Sequence, residues 1–190
     1  MRGSDATGAT VAAGPVELQI QNRLANAPNY NRWIYQQIAP YIGQRVLDVG
    51  CAIGNITQFY VDRELVVGLD VVPELLTVIR QRFADKNFEA HHLDVSSPEL
   101  RMLRDLKLDT AIILNVLEHI DDDVGALVGM RETLAPGGRI CLLTPVNKWL
   151  YGPMDATDHH FRRYTRKELN GKLADAGLTV EHQNFFNLLG

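Results

Sequence analysis

Hydrophobic positions along the 190-residue chain change period several times, and each change marks an element. Between residues 16 and 39, Leu18, Leu24, Trp33, Ile34 and Ile38 are consistent with helical spacing, which predicts two short amphipathic helices broken near Pro28. From residue 45 the period shortens. RVLDVG at 45–50 reads as an apolar strand entering a glycine-containing turn, and 55–62 as a helix directly after it. The alternation then repeats, with strands at 65–70, 88–93, 109–115 and 139–144 and helices at 73–84, 98–106 and 121–134. Pro73 suits a first helical turn, and the APGG run at 135–138 stops the fourth helix. After a long aromatic-rich connection, 166–176 reads as a helix ended by Gly177 and 178–186 as a last strand. Strands alternating with helices of this length join through right-handed crossovers. The expected fold is therefore α/β, a Rossmann-like, doubly wound, mostly parallel sheet with helices on both faces.

Composition narrows the class. The length suits one domain over 16–190, with 16–42 as an N-terminal helical lid. Residues 1–15 are rich in Gly, Ala and Thr and have no apolar h-region, so they read as a disordered tail or the remnant of an expression tag. No apolar run approaches the roughly 20 residues of a bilayer crossing. The net charge of -4, with no Lys/Arg stripe, argues against nucleic acid as a partner. Cys51 and Cys141 give neither a disulfide framework nor a zinc spacing and read as reduced thiols, which points to the cytoplasm.

In an open parallel sheet, ligands sit beyond the carboxyl ends of the strands. The residues at those ends are Asp48 to Gly54, Asp70, Asp94, and Asn115 to His119. The first stretch, DVGCAIG, lacks the G-x-G-x-x-G spacing of a pyrophosphate cradle, and its leading acid suits a cation instead. S-adenosylmethionine (SAM) carries a sulfonium and an ammonium. Its carboxylate can be met by backbone donors. Asp70 is placed to accept the two ribose hydroxyls, and Asp94 the adenine amine, with Val71 and the apolar neighbours of Asp94, Val95 among them, against the ring. Any one of these acids alone is better read as a solvated turn residue. Their order along successive strands is not.

VLDVGCAIGNIT, GLD at 68–70, LD at 93–94, NVLEHI at 115–120 and LAPGG at 134–138 together resemble the successive motifs of class I SAM-dependent methyltransferases. The resemblance spans roughly residue 30 to the C-terminus, and the NVLEH segment is similar to that of the ubiquinone-biosynthesis O-methyltransferases. It implies SAM as cofactor, S-adenosylhomocysteine as product and no metal. It also implies a site built of Asp48, Gly50, Cys51, Ala52, Gly54, Asp70, Val71, Asp94, Val95 and Asn115. Ala52 departs from the family, which usually has glycine there. The family sheet also ends with an antiparallel strand that this sequence, ending at Gly190, is not expected to supply. The expected reasons are a missing C-terminal segment or a homodimer that covers the fifth strand's edge.

The implied reaction moves a methyl group to an O or N atom of a small-molecule acceptor, of natural-product, sugar or lipid-like type. A proton must then be removed from the acceptor. His119, beside Glu118 at the exit of the fourth strand, and His160 in HHFRRYT are the candidate bases. The competing reading of the Glu118–His119 pair is a cap for the next helix. Arg162 and Arg163 are candidate clamps for an acidic acceptor, and Arg163 reads equally as a partner of a nearby acid. Tyr151 and Tyr164 are candidate pocket residues, and Tyr30 and Trp33 belong to the lid. Two other functions compete: a non-catalytic SAM-binding module, and an NAD(P)-dependent oxidoreductase, which the loop spacing disfavours.

Overall fold

The structure, a computed structural model, describes residues 16–146 and 161–185. Its centre is a five-stranded, wholly parallel sheet in the order β3-β2-β1-β4-β5. The strands are β1 (Arg45–Val49), β2 (Leu65–Asp70), β3 (Phe88–His92), β4 (Thr110–Leu114) and β5 (Arg139–Leu143). The chain starts at β1, steps outward to β3, and returns past β1 to β4. The order reverses between β1 and β4, which is the switch point where a ligand crevice opens. In register, Asp48 lies opposite Gly68 on one side and Ile112 on the other, and Asp70 lies opposite His92.

Alternation along each strand feeds two cores. Leu47, Val49, Val67, Leu69, Ala111 and Ile113 pack against Leu100 and Leu103, against Leu127 and Met130 of α4 (Asp123–Thr133), and against Leu169 of α5 (Arg166–Asp175). On the opposite face Val46, Val66 and Ile112 pack with Ile42, Tyr60 and Cys141. Leu76, Ile79 and Phe83 of the C-terminal part of α3 (Pro73–Arg82) and its cap close over Cys51. Asp48 shares the strand face of Val46, so its carboxylate enters the second core beneath Tyr60.

The N-terminal segment forms α1 (Val16–Ala25) and α2 (Pro28–Ile38), with Pro28 in the first turn of α2. No residue of α1 is buried. Polar bonds join it to its neighbours: Asn31 Nδ2 donates to the Leu24 carbonyl at 2.9 Å and Asn55 Nδ2 to the Gln21 carbonyl at 2.9 Å.

Three expected elements differ. The helix over 55–62 is only a 3-10 turn, Thr57–Phe59, because Thr57 gives its hydroxyl to Asp48 and Gln58 its amide to the Asn55 carbonyl. Residues 98–106 wind as a 3-10 helix, with the Ser97 side chain as its N-cap. The strand over 178–186 is absent from the described residues 178–185. After Gly177 (φ +71°) the Leu178 amide turns back to the Leu173 carbonyl, and the segment meets its neighbours through side chains, Glu181 with Arg139 and His182 with Tyr41. Side-chain contacts leave no backbone ladder to define a strand, and no described strand pairs with the outer edge of β5.

Candidate active site

β1 ends in a loop that three residues bend through the left-handed region: Gly50 (φ +72°), Ala52 (φ +48°) and Gly54 (φ +80°). The amides of Gly50 and Cys51 both donate to the Leu69 carbonyl, at 2.8 and 3.0 Å, which folds the loop onto the end of β2. A Cβ at Gly50 would stand 2.3 Å from Val116 Cγ2, and one at Gly54 2.6 Å from the Phe83 ring. Glycine is therefore required twice, by conformation and by space. Ala52 adopts the same backbone with a methyl group attached.

Asp48 is buried, and its Oδ2 accepts from Thr57 Oγ1 at 2.6 Å. Burial pushes its carboxyl up to about 6. The hydroxyls of Thr57 and Tyr60 oppose that shift, and the charge of Asp70 adds to it. The groups that act on Asp48 are thus two hydroxyls and a second acid, none of them a cation. Cys51 is also buried, and loss of solvation drives its thiol pKa upward, so it is no nucleophile at neutral pH.

Asp70 stands one strand over. Its Oδ2 accepts from the Ala52 amide at 2.9 Å and its Oδ1 from the Val72 amide at 3.0 Å. Each oxygen takes one backbone bond and keeps acceptor capacity for a second donor. Burial raises this carboxyl too, while the amides of Val72 and Ala52 resist the shift. Val71 is exposed beside it, and its carbonyl lies 3.1 Å from His92 Nε2. Asp94 continues the row past β3. It is exposed, and its Oδ1 accepts from the Ser96 amide at 2.8 Å, while Val95 beside it is buried. The three acids lie in sequence order along the carboxyl rim of β1, β2 and β3.

On the other side of the switch point, Asn115 is exposed in a left-handed turn (φ +53°) and its amide donates to the Leu143 carbonyl at 2.8 Å. His119 follows as the exposed last residue of a 3-10 turn, Leu117–His119. Glu118 turns the other way. It is fully buried, and its Oε2 accepts from Thr144 Oγ1 at 3.1 Å.

Arg162 and Tyr164 are placed differently from expectation. Arg162 Nη1 donates to Asp123 Oδ2 at 2.8 Å, and Nη2 to the Asp121 carbonyl and Oδ1 at 3.0 and 3.2 Å. Both terminal nitrogens are committed within the protein. Tyr164 is buried in the core, its hydroxyl donating to the same Asp123 oxygen at 2.8 Å. Lys172 donates to Asp123 Oδ1 at 2.7 Å. These residues anchor the returning chain to the first turn of α4 instead of facing an acceptor. Arg163 is half-buried. Tyr30 is exposed on α2 with Trp33 at 6.0 Å between ring centroids. His160 and Tyr151 lie outside the described residues.

Sequence reasoning missed Thr57 as the hydrogen-bond partner of Asp48 and Tyr60 as the buried ring beside it, and Asn55 and Arg82 as supports of the loop. The first three fall in the stretch misread as a helix, where an outward-facing polar residue is unremarkable. Two clefts open elsewhere. One of about 350 Å³ at the amino end of the sheet is lined by Arg104, Arg131 and the Ala135–Gly138 turn, and one of about 250 Å³ lies beside Val95, between the 3-10 helix and α4. Neither takes in Asp48 or Asp70. Among the described residues no three His, Cys, Asp or Glu side chains group as metal ligands.

A parallel sheet with acids on its first three strand ends and a left-handed loop after β1 defines a nucleoside-binding protein of the Rossmann-like class. Residues 47–140 match the model of the methyltransferase domain family, and the chain belongs to the class I SAM-dependent methyltransferase superfamily. It is 26% identical over 113 residues to a ubiquinone biosynthesis O-methyltransferase of Aeromonas salmonicida, a match covering 59% of this chain and 48% of that protein. The chain thus spans about half the length of that curated relative. In fold it is similar to a SAM-dependent methyltransferase of Mesorhizobium loti, with a TM-score of 0.67 at 18% identity and 84% of each chain covered. It is also similar to the trans-methyltransferase CalH in complex with SAH (TM-score 0.60, 21% identity, 83% of this chain and 52% of that one).

The residues present fit the family's cofactor. Asp48 is a buried acid on which, among the described residues, two hydroxyls and a second acid chiefly act, Asp70 retains acceptor capacity, and the left-handed loop between them is fixed by glycines packed on Val116 and Phe83.

Proposed function

We propose that this chain transfers a methyl group from SAM to an oxygen atom of a small-molecule acceptor in the cytoplasm. The buried Asp48 carries the reading. Its carboxyl is held up to about 6 by lost solvation, and a cationic ligand placed beside it would restore the charged form. The names of the curated relatives favour oxygen over nitrogen. SAM supplies a methyl group already activated on a sulfonium, so the protein has chiefly to bind and align.

Asp48, Gly50, Cys51, Ala52 and Gly54 line the methionine portion. Asp70 accepts from the ribose hydroxyls, Val71, Asp94 and Val95 take the adenine, and Asn115 faces the sulfonium side. His119, exposed at the end of the adjoining turn, would take the acceptor's hydroxyl proton onto an imidazole nitrogen as the oxygen–carbon bond forms and the carbon–sulfur bond breaks. The segment 16–42, with Tyr30 and Trp33, closes over the site as a lid. Isothermal titration with SAM, S-adenosylhomocysteine and NAD tests the cofactor. Binding of the first two without NAD is expected, and NAD binding without SAM would overturn the reading. Label transfer from methyl-labelled SAM to a panel of hydroxylated acceptors tests the reaction.

A further inference from the structure

The loop that follows β1 has little regular structure of its own to hold it. Its three left-handed residues are followed by a single 3-10 turn instead of a full helix. Support comes from outside, and one side chain supplies much of it. Arg82, at the last turn of α3, sends Nη1 to the Ile53 carbonyl at 2.9 Å and Nη2 to Gln58 Oε1 at 2.8 Å. Its guanidinium lies 5.4 Å from the centroid of the Phe83 ring, and that ring is the surface Gly54 rests on. The two ends of the segment 53–58 are thereby tied to one helix terminus.

We propose that Arg82 is a positioning residue for the cofactor. By fixing the Ile53 carbonyl it holds the Ala52–Gly54 turn in the left-handed form that brings main chain to the ligand. This rests on the assignment of the loop to SAM. A charge-assisted bond to a carbonyl orients it more firmly than a neutral one. The planar fork reaches two acceptors at once, which a lysine ammonium at the same place cannot match. Arg82 touches neither Asp48 nor Asp70, so its effect passes through the loop.

The test compares Arg82→Gln, Arg82→Lys, Gln58→Ala and Asp70→Ala by titration with SAM, at a temperature where circular dichroism shows every variant folded. Arg82→Gln is expected to weaken SAM about three- to tenfold. Arg82→Lys should recover part of the loss through the Ile53 carbonyl, and Gln58→Ala should stay within twofold because that carbonyl bond remains. Arg82→Gln that is fully folded, melts earlier and binds SAM within twofold of the parent would overturn the proposal, provided Asp70→Ala loses binding. If Asp70→Ala also binds normally, the assignment of the loop to SAM fails and takes the role of Arg82 with it. An Arg82→Lys variant no better than Arg82→Gln would also overturn it.

Discussion

Thr57 Oγ1 donates to Asp48 Oδ2 at 2.6 Å, and both residues lie beneath the surface. The bond stabilises the carboxylate, yet lost solvation wins, and the carboxyl titrates near 6. For an acid whose pKa is raised by folding, stability is greatest below the unfolded value of about 3.9 and falls as pH rises towards the folded value. The gap of about 2 units sets a ceiling of roughly 3 kcal/mol on that loss at neutral pH. Asp48→Asn removes the buried charge. It should raise the melting temperature at pH 7.5, have little effect at pH 4, and weaken SAM binding, all readable from paired thermal melts and titrations.

The same carboxyl predicts how binding depends on pH. A cationic ligand favours the ionised acid, so SAM affinity should climb as pH rises through about 6 and level off above it. Titrations at pH 5, 6 and 7.5 measure this directly. In Asp48→Asn the climb should vanish, and a climb that persists would assign the titrating group elsewhere.

Ala52 at φ +48° holds a methyl group in a conformation that costs an L-residue about 1–2 kcal/mol. Glycine relieves this but adds about 0.4–1 kcal/mol of unfolded-chain entropy to be lost. Ala52→Gly should thus range from neutral to about 1.6 kcal/mol stabilising, with SAM bound more tightly. Gly50→Ala is the opposite case. Its new Cβ meets Val116 Cγ2 at 2.3 Å, and denaturant unfolding should show a loss of about 2 kcal/mol or more.

Asp123 gathers Arg162, Tyr164 and Lys172 onto one buried carboxylate. Burial alone would raise its pKa, but bonds from Lys172, Tyr164 and Arg162 outweigh it and hold the carboxyl below the usual range. Its stabilising contribution is present above about pH 3.9 and is lost as pH falls through the depressed folded value. Asp123→Ala takes the shared acid from Lys172, Arg162 and Tyr164, leaving Arg162 its bonds to Asp121 and Tyr164 the Leu117 carbonyl, and should cost about 2–4 kcal/mol in urea unfolding at pH 7. Arg162→Ala should lower stability while leaving SAM affinity unchanged.

The sheet was legible because β1, β2 and β4 are buried on both faces and so read as short continuous apolar runs bounded by Gly, Pro or Asp, signals that tertiary context reinforces. The acids at their carboxyl ends follow from topology once the strands are placed. What escaped were side chains whose partners are distant in sequence. RRYT at 162–165 reads as a basic clamp in one dimension, but Asp123, some forty positions earlier, claims Arg162 and Tyr164 in three. The stretch after Gly54 has helix-compatible spacing, and only the pull of Asp48 on Thr57 shows why a full helix does not form there. Segment 178–185 alternates weakly, and nothing in its sequence separates a ladder from side-chain contacts.

His119 and Glu118 occupy one 3-10 turn and point apart, the acid sealed in the core against Thr144 and the imidazole exposed at the rim. Here the buried acid, bonded by Thr144, holds the turn and sets the imidazole at the rim of the sheet. His119→Ala should leave SAM affinity within twofold and lower kcat for a hydroxyl acceptor by about 10²- to 10⁴-fold, the range of a positioned base. His119→Gln should not restore it, because an amide cannot take the proton. Raising the pH towards the pKa of the acceptor hydroxyl should rescue both variants, since a pre-ionised oxygen needs no base. Loss of SAM binding in His119→Ala, or a kcat unchanged in both variants, would remove His119 from the reaction and return it to capping the turn.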